Sequence, residues 1–419
     1  MRLWRECAAV DAAEAALAIA PLELDELAAA GLLRPGGAGR VRANVSIRAY
    51  GDLLIAADPV PDVLAERADC VPGVNPVARL LARHTVREPV AAALDLGTGM
   101  GIQALLAASH AGEVVGTDVN PRALAYARMN ADLNGIANAR FEQGSWFEPV
   151  GEREFGLIVA NPPFVISPES GLTYRDSGLD PGRLLAGLIP GIAERLAPGA
   201  FGHVTGEWGL GDGEDWAATP REWVAGTGCD ALVLRQALLT PREHAAGWNK
   251  RLEPVDQDRF DAAVERWTRH HRDHGHSAVA AGTIVLRRRA DGREPWFSAL
   301  ERAASPTAEA GDHVRRIFSG EDRVRAGARG LLAESLAPVE GLRVAQTLTR
   351  REGRWGRFPA VLAIRPGLGV QARVDARVLD LVFALDGRRP VTDVVGDDAE
   401  LRDLAVAELP GLVRLGLVA

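Results

Sequence analysis

The stretch "VANPPFV", residues 159–165, sets an amide, two prolines and an aromatic ring at the end of an apolar run. That combination suits chemistry on a planar nitrogen. In an amide or a nucleobase amino group the lone pair is delocalised, so the nitrogen is a poor nucleophile. Two acceptors aimed at its two N–H bonds favour a pyramidal nitrogen with its lone pair directed at an electrophile. The Asn161 side-chain oxygen can supply one acceptor and the Pro162 carbonyl the other. Proline has no N–H, so two in succession stiffen the turn and leave carbonyls free. Phe164 offers a flat face for stacking, and Pro163 belongs to the same substrate-facing turn. The work is positioning with preorganised dipoles, and it needs no covalent enzyme intermediate. The plain alternative is a Pro-Pro that only ends a strand.

An electrophile must then sit nearby. Upstream, "AALDLGTGMGIQALLAA", residues 92–108, reads as a buried strand entering Gly97-x-Gly99-x-Gly101 and then a helix. Glycines at such a turn let backbone approach a ligand with no Cβ in the way. A pyrophosphate loop reads G-x-G-x-x-G, and here the third glycine comes one residue early. No G-x-x-x-x-G-K-[ST] occurs, which argues against an ATPase loop. The next strand, "EVVGTDVNPRAL", ends at Asp118, 21 residues after Gly97. A carboxylate at that tip can accept both hydroxyls of an adenosine ribose; the alternative is a helix cap ahead of Pro121. Asp95, at the end of the first strand, can orient the loop or a cationic ligand.

"LDLGTGMG", "GTDVNPRAL" and "NPPF", in this order and at these distances, resemble a class I S-adenosylmethionine-dependent methyltransferase. The likeness is to the small-domain branch that methylates planar nitrogens, which includes release-factor glutamine, ribosomal RNA guanine-N2 and adenine-N6 methyltransferases. It covers roughly residues 71–289 and speaks to fold and cofactor, not to substrate. It implies S-adenosylmethionine as cofactor, with S-adenosylhomocysteine as product. Asp95, Gly97, Thr98, Gly99 and Gly101 would form the methionine side of the cofactor site. Asp118 with Val119 would hold the ribose, and Asn161 would border the cofactor as well as the acceptor. "EQGSWFEPV", residues 142–150, matches the stretch edging the adenine. Many relatives have Asp where this chain has Ser145, whose hydroxyl can still meet the adenine amino group. Trp146 would pack on the purine or serve as a core aromatic.

The elements that must position these groups are legible too. Strand patterns fall at 91–96, 113–118, 139–143, 155–160, 200–206, 231–238 and 282–288, the first five separated by helix-like stretches. Such alternation implies an α/β, Rossmann-like sheet of seven strands. The charged helical segment 241–275 is an insertion or crossover. Residues 1–70 read as a small N-terminal α+β domain of helix, turn cluster and hairpin, resembling a winged helix. Residues 71–289 form the transferase domain, and 290–419 a C-terminal α+β region also resembling a winged helix, with two strands around a basic turn.

Weaker patterns remain. Tyr174, Arg175 and Asp176 in the polar loop after the clamp could line a substrate pocket or lie in solvent. His270, His271, His274 and His276 in "HHRDHGH" are dense, but no ligand spacing accompanies them and no metal is expected. Arg350, Arg351, Arg354 and Arg357, interleaved with Trp355 and Phe358, could grip RNA or an acidic partner; the blander reading is a solvated hairpin tip.

Composition narrows the class. The 419 residues are 47% hydrophobic and 25% charged, with a net charge of −8. This describes a globular chain of two or three domains and disfavours a general nucleic-acid binder. No apolar run reaches membrane-spanning length, the N-terminus lacks a signal-peptide layout, and three cysteines without ligand spacing fit a reducing cytoplasm. Three functions stay open: methylation of RNA or a protein glutamine, methylation of a small molecule, and a non-catalytic cofactor-binding regulator. An intact clamp argues against the last.

Overall fold

The glycine loop and the clamp hang from one sheet. In a computed structural model describing residues 2–60, 67–169, 171, 181–252, 256–302, 306, 308–351 and 354–419, the chain divides into two compact units. One comprises Met1–Leu81 with Glu88–Ala299, the other Ala82–Arg87 with Leu300–Ala419.

The first unit is built on strands β1 (Val90–Leu96), β2 (Ala111–Asp118), β3 (Ala139–Gln143), β4 (Phe155–Ala160), β5 (Leu196–Leu210), β6 (Cys229–Leu239), β7 (Ala278–Arg288) and β8 (Phe297–Glu301). Their order across the sheet is β8-β6-β7-β5-β4-β1-β2-β3. Strands β3, β2, β1, β4 and β5 run parallel, and β7 is antiparallel to β5 and β6. All seven expected strands are present. The sheet has an eighth at its edge, "FSALE", which follows a polar turn and falls within the region 290–419 that the sequence assigns to the C-terminal part.

Both faces of the sheet are covered, which is why β1 and β4 read as continuous apolar runs and not as alternating ones. Leu94, Leu96, Ile158 and Ala160 face a core with Leu185, Ile189 and Ile192. Ala93, Leu157 and Val159 face the other, with Leu105 and Leu124. The covering helices include α1 (Ile102–Ala107), α2 (Pro121–Leu133) and α3 (Pro181–Arg195). Helix α2 starts cleanly because Asn120 caps the Arg122 amide and proline occupies the first turn. The segment between β6 and β7 forms α4 (Pro241–Asn249) and α5 (Gln257–Asp273). Thr240 and Glu243 make a reciprocal capping box at the start of α4.

The leading residues begin with helix Arg2–Arg5, strand Val10–Asp11, helices Ala12–Ile19 and Leu24–Ala29, and strands Leu33–Gly37 and Arg40–Ala43. Strand Arg40–Ala43 lies between the other two, antiparallel to both. A hairpin follows, Ser46–Tyr50 against Leu53–Ala57, turning at Gly51-Asp52 as the sequence suggests. Its outer edge meets α2. Asn134 pairs with both backbone groups of Leu54 at 2.8 Å. Asn130 accepts from the Ala56 amide at 2.7 Å and donates to the Ala56 carbonyl at 2.9 Å. Asn130 also donates to the Met100 carbonyl at 2.9 Å, which ties the hairpin to the glycine loop.

The second unit holds helix Gly311–Ala326, a three-stranded antiparallel sheet (Leu342–Ala345, Ala360–Ile364, Gln371–Val374) and helices Ala376–Ala384, Val391–Val395 and Ala399–Arg414. The expected basic hairpin exists as two strand pairs in line, the outer one being Leu348–Arg351 with Arg354–Arg357. Trp355 and Phe358 are exposed, and Arg357 pairs with Asp380 at 2.8 Å. Among the described residues, no helix is long and apolar enough to cross a membrane.

Candidate active site

At the carboxyl ends of β1, β2 and β4 the first unit encloses a cavity of about 310 Å³. Strands β1 and β4 lie side by side in the middle of the sheet, so their tips open into one crevice.

The loop after β1 is shaped by its glycines. Gly97 and Gly99 have φ of +66° and +55°, the left-handed region, and both line the cavity. The loop is fixed from two sides. The Thr98 amide donates to the Thr117 carbonyl at 2.9 Å. The buried Asp95 carboxylate accepts from the Thr98 hydroxyl at 2.6 Å and from the Ala104 amide at 3.0 Å. Burial raises the Asp95 carboxyl to about 7 against the pull of these donors, and Asp118 adds to the rise. Asp118 accepts from the Gly99 amide at 2.9 Å and the Asn120 amide at 2.8 Å. Burial pushes its carboxyl above the ordinary value despite those contacts. The Val119 amide also bears on this carboxylate, and since a carboxylate offers about four acceptor sites, capacity for a further donor remains.

Asp95, Gly97, Thr98, Gly99, Asp118, Val119, Ser145, Trp146, Asn161 and Pro163 all line the cavity. Gly101 stands apart from them. It caps α1 at φ +92°, and a Cβ there would meet Ala127 at 3.1 Å, so its role is close helix packing. Trp146 sits half-buried with φ +47°, a strained value for an aromatic residue, and its carbonyl accepts from the Thr117 hydroxyl at 3.1 Å. The Ser145 amide donates to Glu148 at 2.9 Å.

Of the clamp residues, Asn161 and Pro163 reach the cavity. Pro162 is buried and is not part of its lining. Phe164 is 6% exposed and packs with Val165, Ala245, Val264 and Trp267, so α4 and α5 cover the ring expected to stack on substrate. Tyr174, Arg175 and Asp176 lie outside the described residues.

Several lining residues carried no signal in the sequence. "CVPGVN", residues 70–75, contributes one wall. Its Asn75 accepts from the Ala78 amide at 2.8 Å, and an Asn followed by Pro76 is the one local cue. Thr205 on β5 donates its hydroxyl to Asn161 Oδ1 at 2.8 Å. It is a single Thr inside an apolar strand, 44 residues from its partner.

The histidine-rich segment joins a hydrogen-bond chain. His276 Nδ1 meets His271 Nδ1 at 3.2 Å, His271 Nε2 meets His244 Nδ1 at 2.9 Å, and His244 Nε2 meets Glu207 at 3.0 Å. The Trp248 indole donates to the other Glu207 oxygen at 3.2 Å. The chain fastens α4 and α5 to β5. Among the described residues, no group of three or more His, Cys, Asp or Glu side chains could hold a metal ion.

Comparison with known proteins bears on the family. Residues 70–174 match the family model described as methyltransferase small domain. A release factor glutamine methyltransferase of Vibrio cholerae is 41% identical over 104 residues, 24% of this chain and 36% of the relative. The Geobacter sulfurreducens protein of that name is 37% identical over 172 residues, 37% of this chain and 56% of its own length. That of Xylella fastidiosa is 32% identical over 188 residues, 42% of this chain and 67% of the relative. The chain thus spans between about a third and two thirds of these relatives. With the glycine loop, the Asp118 tip and the Asn-Pro-Pro turn opening on one cavity, the chain belongs to the small-domain branch of the class I S-adenosylmethionine-dependent methyltransferases.

Proposed function

We propose that this protein transfers a methyl group from S-adenosylmethionine to a planar nitrogen, the side-chain amide of a glutamine in a protein substrate of the release-factor kind. The observation that carries the reading is Asn161. It stands at the tip of β4 in the same cavity as the glycine loop, and its amide oxygen is hydrogen-bonded in place. The names of the relatives favour a protein glutamine over RNA or a small molecule.

The residues present suit the cofactor. Gly97 and Gly99 have nothing within 4 Å of where a Cβ would be, so the loop leaves its inner side to a ligand. Asp118 keeps acceptor capacity for a ribose hydroxyl, and Asp95 places a carboxyl in the wall where a cationic group would lie. Bound there, S-adenosylmethionine supplies the methyl group, its sulfur retaining the bonding pair. Asn161 Oδ1 accepts one N–H of the acceptor amide, while Pro162 stays buried outside the cavity lining and stiffens the turn. The nitrogen lone pair is thereby turned toward the methyl group, and the methylated nitrogen then gives up one N–H proton to water. The hydrogen bond tightens as the nitrogen gains positive charge, so Asn161 contributes more in the transition state than in the ground state.

We further propose that residues 1–70 and 290–419 flank a transferase domain of 71–289. The leading order of helix, strand, two helices and two strands is winged-helix-like, and the trailing sheet with its helices is a second such module. Three buried cysteines accord with a cytoplasmic protein.

The test uses methyl-labelled S-adenosylmethionine with purified release factor, with total RNA and with a small-molecule extract. Label should enter the release factor. Asn161→Ala should lower kcat by roughly 10²–10³, the loss typical of one preorganised polar partner, with cofactor affinity nearly unchanged. Near-native kcat in that variant would make Asn161 a turn residue and remove the main support for nitrogen methylation.

A further inference from the structure

An asparagine amide has two ends of like size and opposite hydrogen bonding, an oxygen that accepts and an NH₂ that donates. Only the oxygen serves a clamp that must accept an N–H. Shape alone does not choose between them. We infer that Thr205 is the residue that chooses, a positioning residue whose hydroxyl holds the Asn161 oxygen toward the acceptor nitrogen; this rests on the clamp reading above.

The geometry is specific. Strand β5 runs parallel to β4, with Val204 beside Ala160, so the next residue along each strand, Thr205 and Asn161, come together where β4 ends. The Thr205 hydroxyl donates to Asn161 Oδ1 at 2.8 Å. Thr205 is 1% exposed, so water does not compete for that proton. Among the described residues no second acceptor for it is found.

Turning the amide over would set NH₂ against the Thr205 oxygen and strand the hydroxyl proton in a dry site. A buried donor without a partner is costly, so the observed orientation is held. A carbonyl oxygen has two lone pairs. Thr205 occupies one and leaves the other for the acceptor N–H. The hydroxyl of Thr205 therefore acts on substrate only through Asn161.

This predicts a particular pattern of variants in the full chain, with release factor and labelled S-adenosylmethionine. Thr205→Val keeps the shape and removes the donor. It should lower kcat about tenfold, the scale of one lost hydrogen bond, with KM and S-adenosylhomocysteine affinity unchanged. Thr205→Ser should retain activity. In an Asn161→Asp background both side-chain oxygens accept, orientation no longer matters, and Thr205→Val should cost less than twofold.

Equal losses in the two backgrounds would mean that Thr205 acts through packing, and would overturn the inference. Equal losses for Ser and Val would do the same, and would decide the matter if Asn161→Asp proved inactive. If Thr205→Val kept full kcat while Asn161→Ala lost it, the positioning role would fail and the clamp would stand. If Asn161→Ala also kept full kcat, both would fall. Matching thermal midpoints and cofactor affinities show that each variant is folded.

Discussion

Asp95 illustrates how one side chain can serve two ends. Its hydrogen bonds to Thr98 and Ala104 brace the loop, while burial holds its carboxyl at about 7. A cationic ligand favours the ionised form. Affinity for S-adenosylmethionine should therefore rise as pH increases from 6 to 8, and Asp95→Asn should flatten the rise. Calorimetry across that range checks this, and a flat profile in the native protein would separate Asp95 from the ligand's charge. Asp95 and Asp118 were legible in the sequence because each ends an apolar run at a spacing with chemical meaning. Thr205 was not, because its partner lies on another strand and nothing local marks it. The burial of Phe164 is hidden from the sequence for a related reason. An aromatic beside two prolines looks free to stack, and only the folded chain shows Ala245, Val264 and Trp267 closing over it.

At the level of elements, the glycine loop separates two uses of the same residue. Gly97 and Gly99 face open space at the cavity, whereas Gly101 packs against α2. Gly101→Ala would put a Cβ 3.1 Å from that of Ala127 and force an L side chain to φ +92°. The strain alone costs on the order of 1–3 kcal/mol, so the denaturant midpoint should fall clearly; an unchanged midpoint would show that α1 and α2 can move apart freely. Parallel strands declared themselves in the sequence because burial on both faces demands uninterrupted apolar runs. Strand β8 did not, since "FSALE" mixes both kinds of residue and each member stays only part-buried or exposed. The insertion at 241–275 read correctly as helical, but its contacts with Glu207 and Phe164 are tertiary and leave no period behind.

For the whole molecule, buried histidines set the response to acid. Burial holds His203 and His271 at about 3 and His313 at about 4, with neighbouring imidazoles adding to the effect at His271. Folded values below the ordinary 6.5 mean that the unfolded chain binds more protons. Stability from these groups is complete above about pH 6.5 and is lost as pH falls, by roughly 1.4 kcal/mol per group and pH unit. Asp95 and Asp118, whose carboxyls are raised, work in the opposite sense above about pH 4, but three groups outweigh two. The thermal midpoint should drop from pH 7 to pH 5, and a level midpoint would mean that these imidazoles take up protons without unfolding. The chain passes from one compact unit to the other at Leu300, beyond the boundary expected near residue 290, and Ala82–Arg87 groups with residues more than 200 positions away, a pairing that no composition shift announces. The hairpin edge at Leu54 and Ala56 carries a last consequence. Two residues of strand advance about 6.8 Å and one four-residue step of helix about 6 Å, so asparagines at 130 and 134 meet alternate strand positions almost in step. The helix thereby poses as a neighbouring strand. An exposed edge invites another chain to add itself and propagate; along Leu54–Ala56 that invitation is already answered from within, and the edge gives self-association no place to begin.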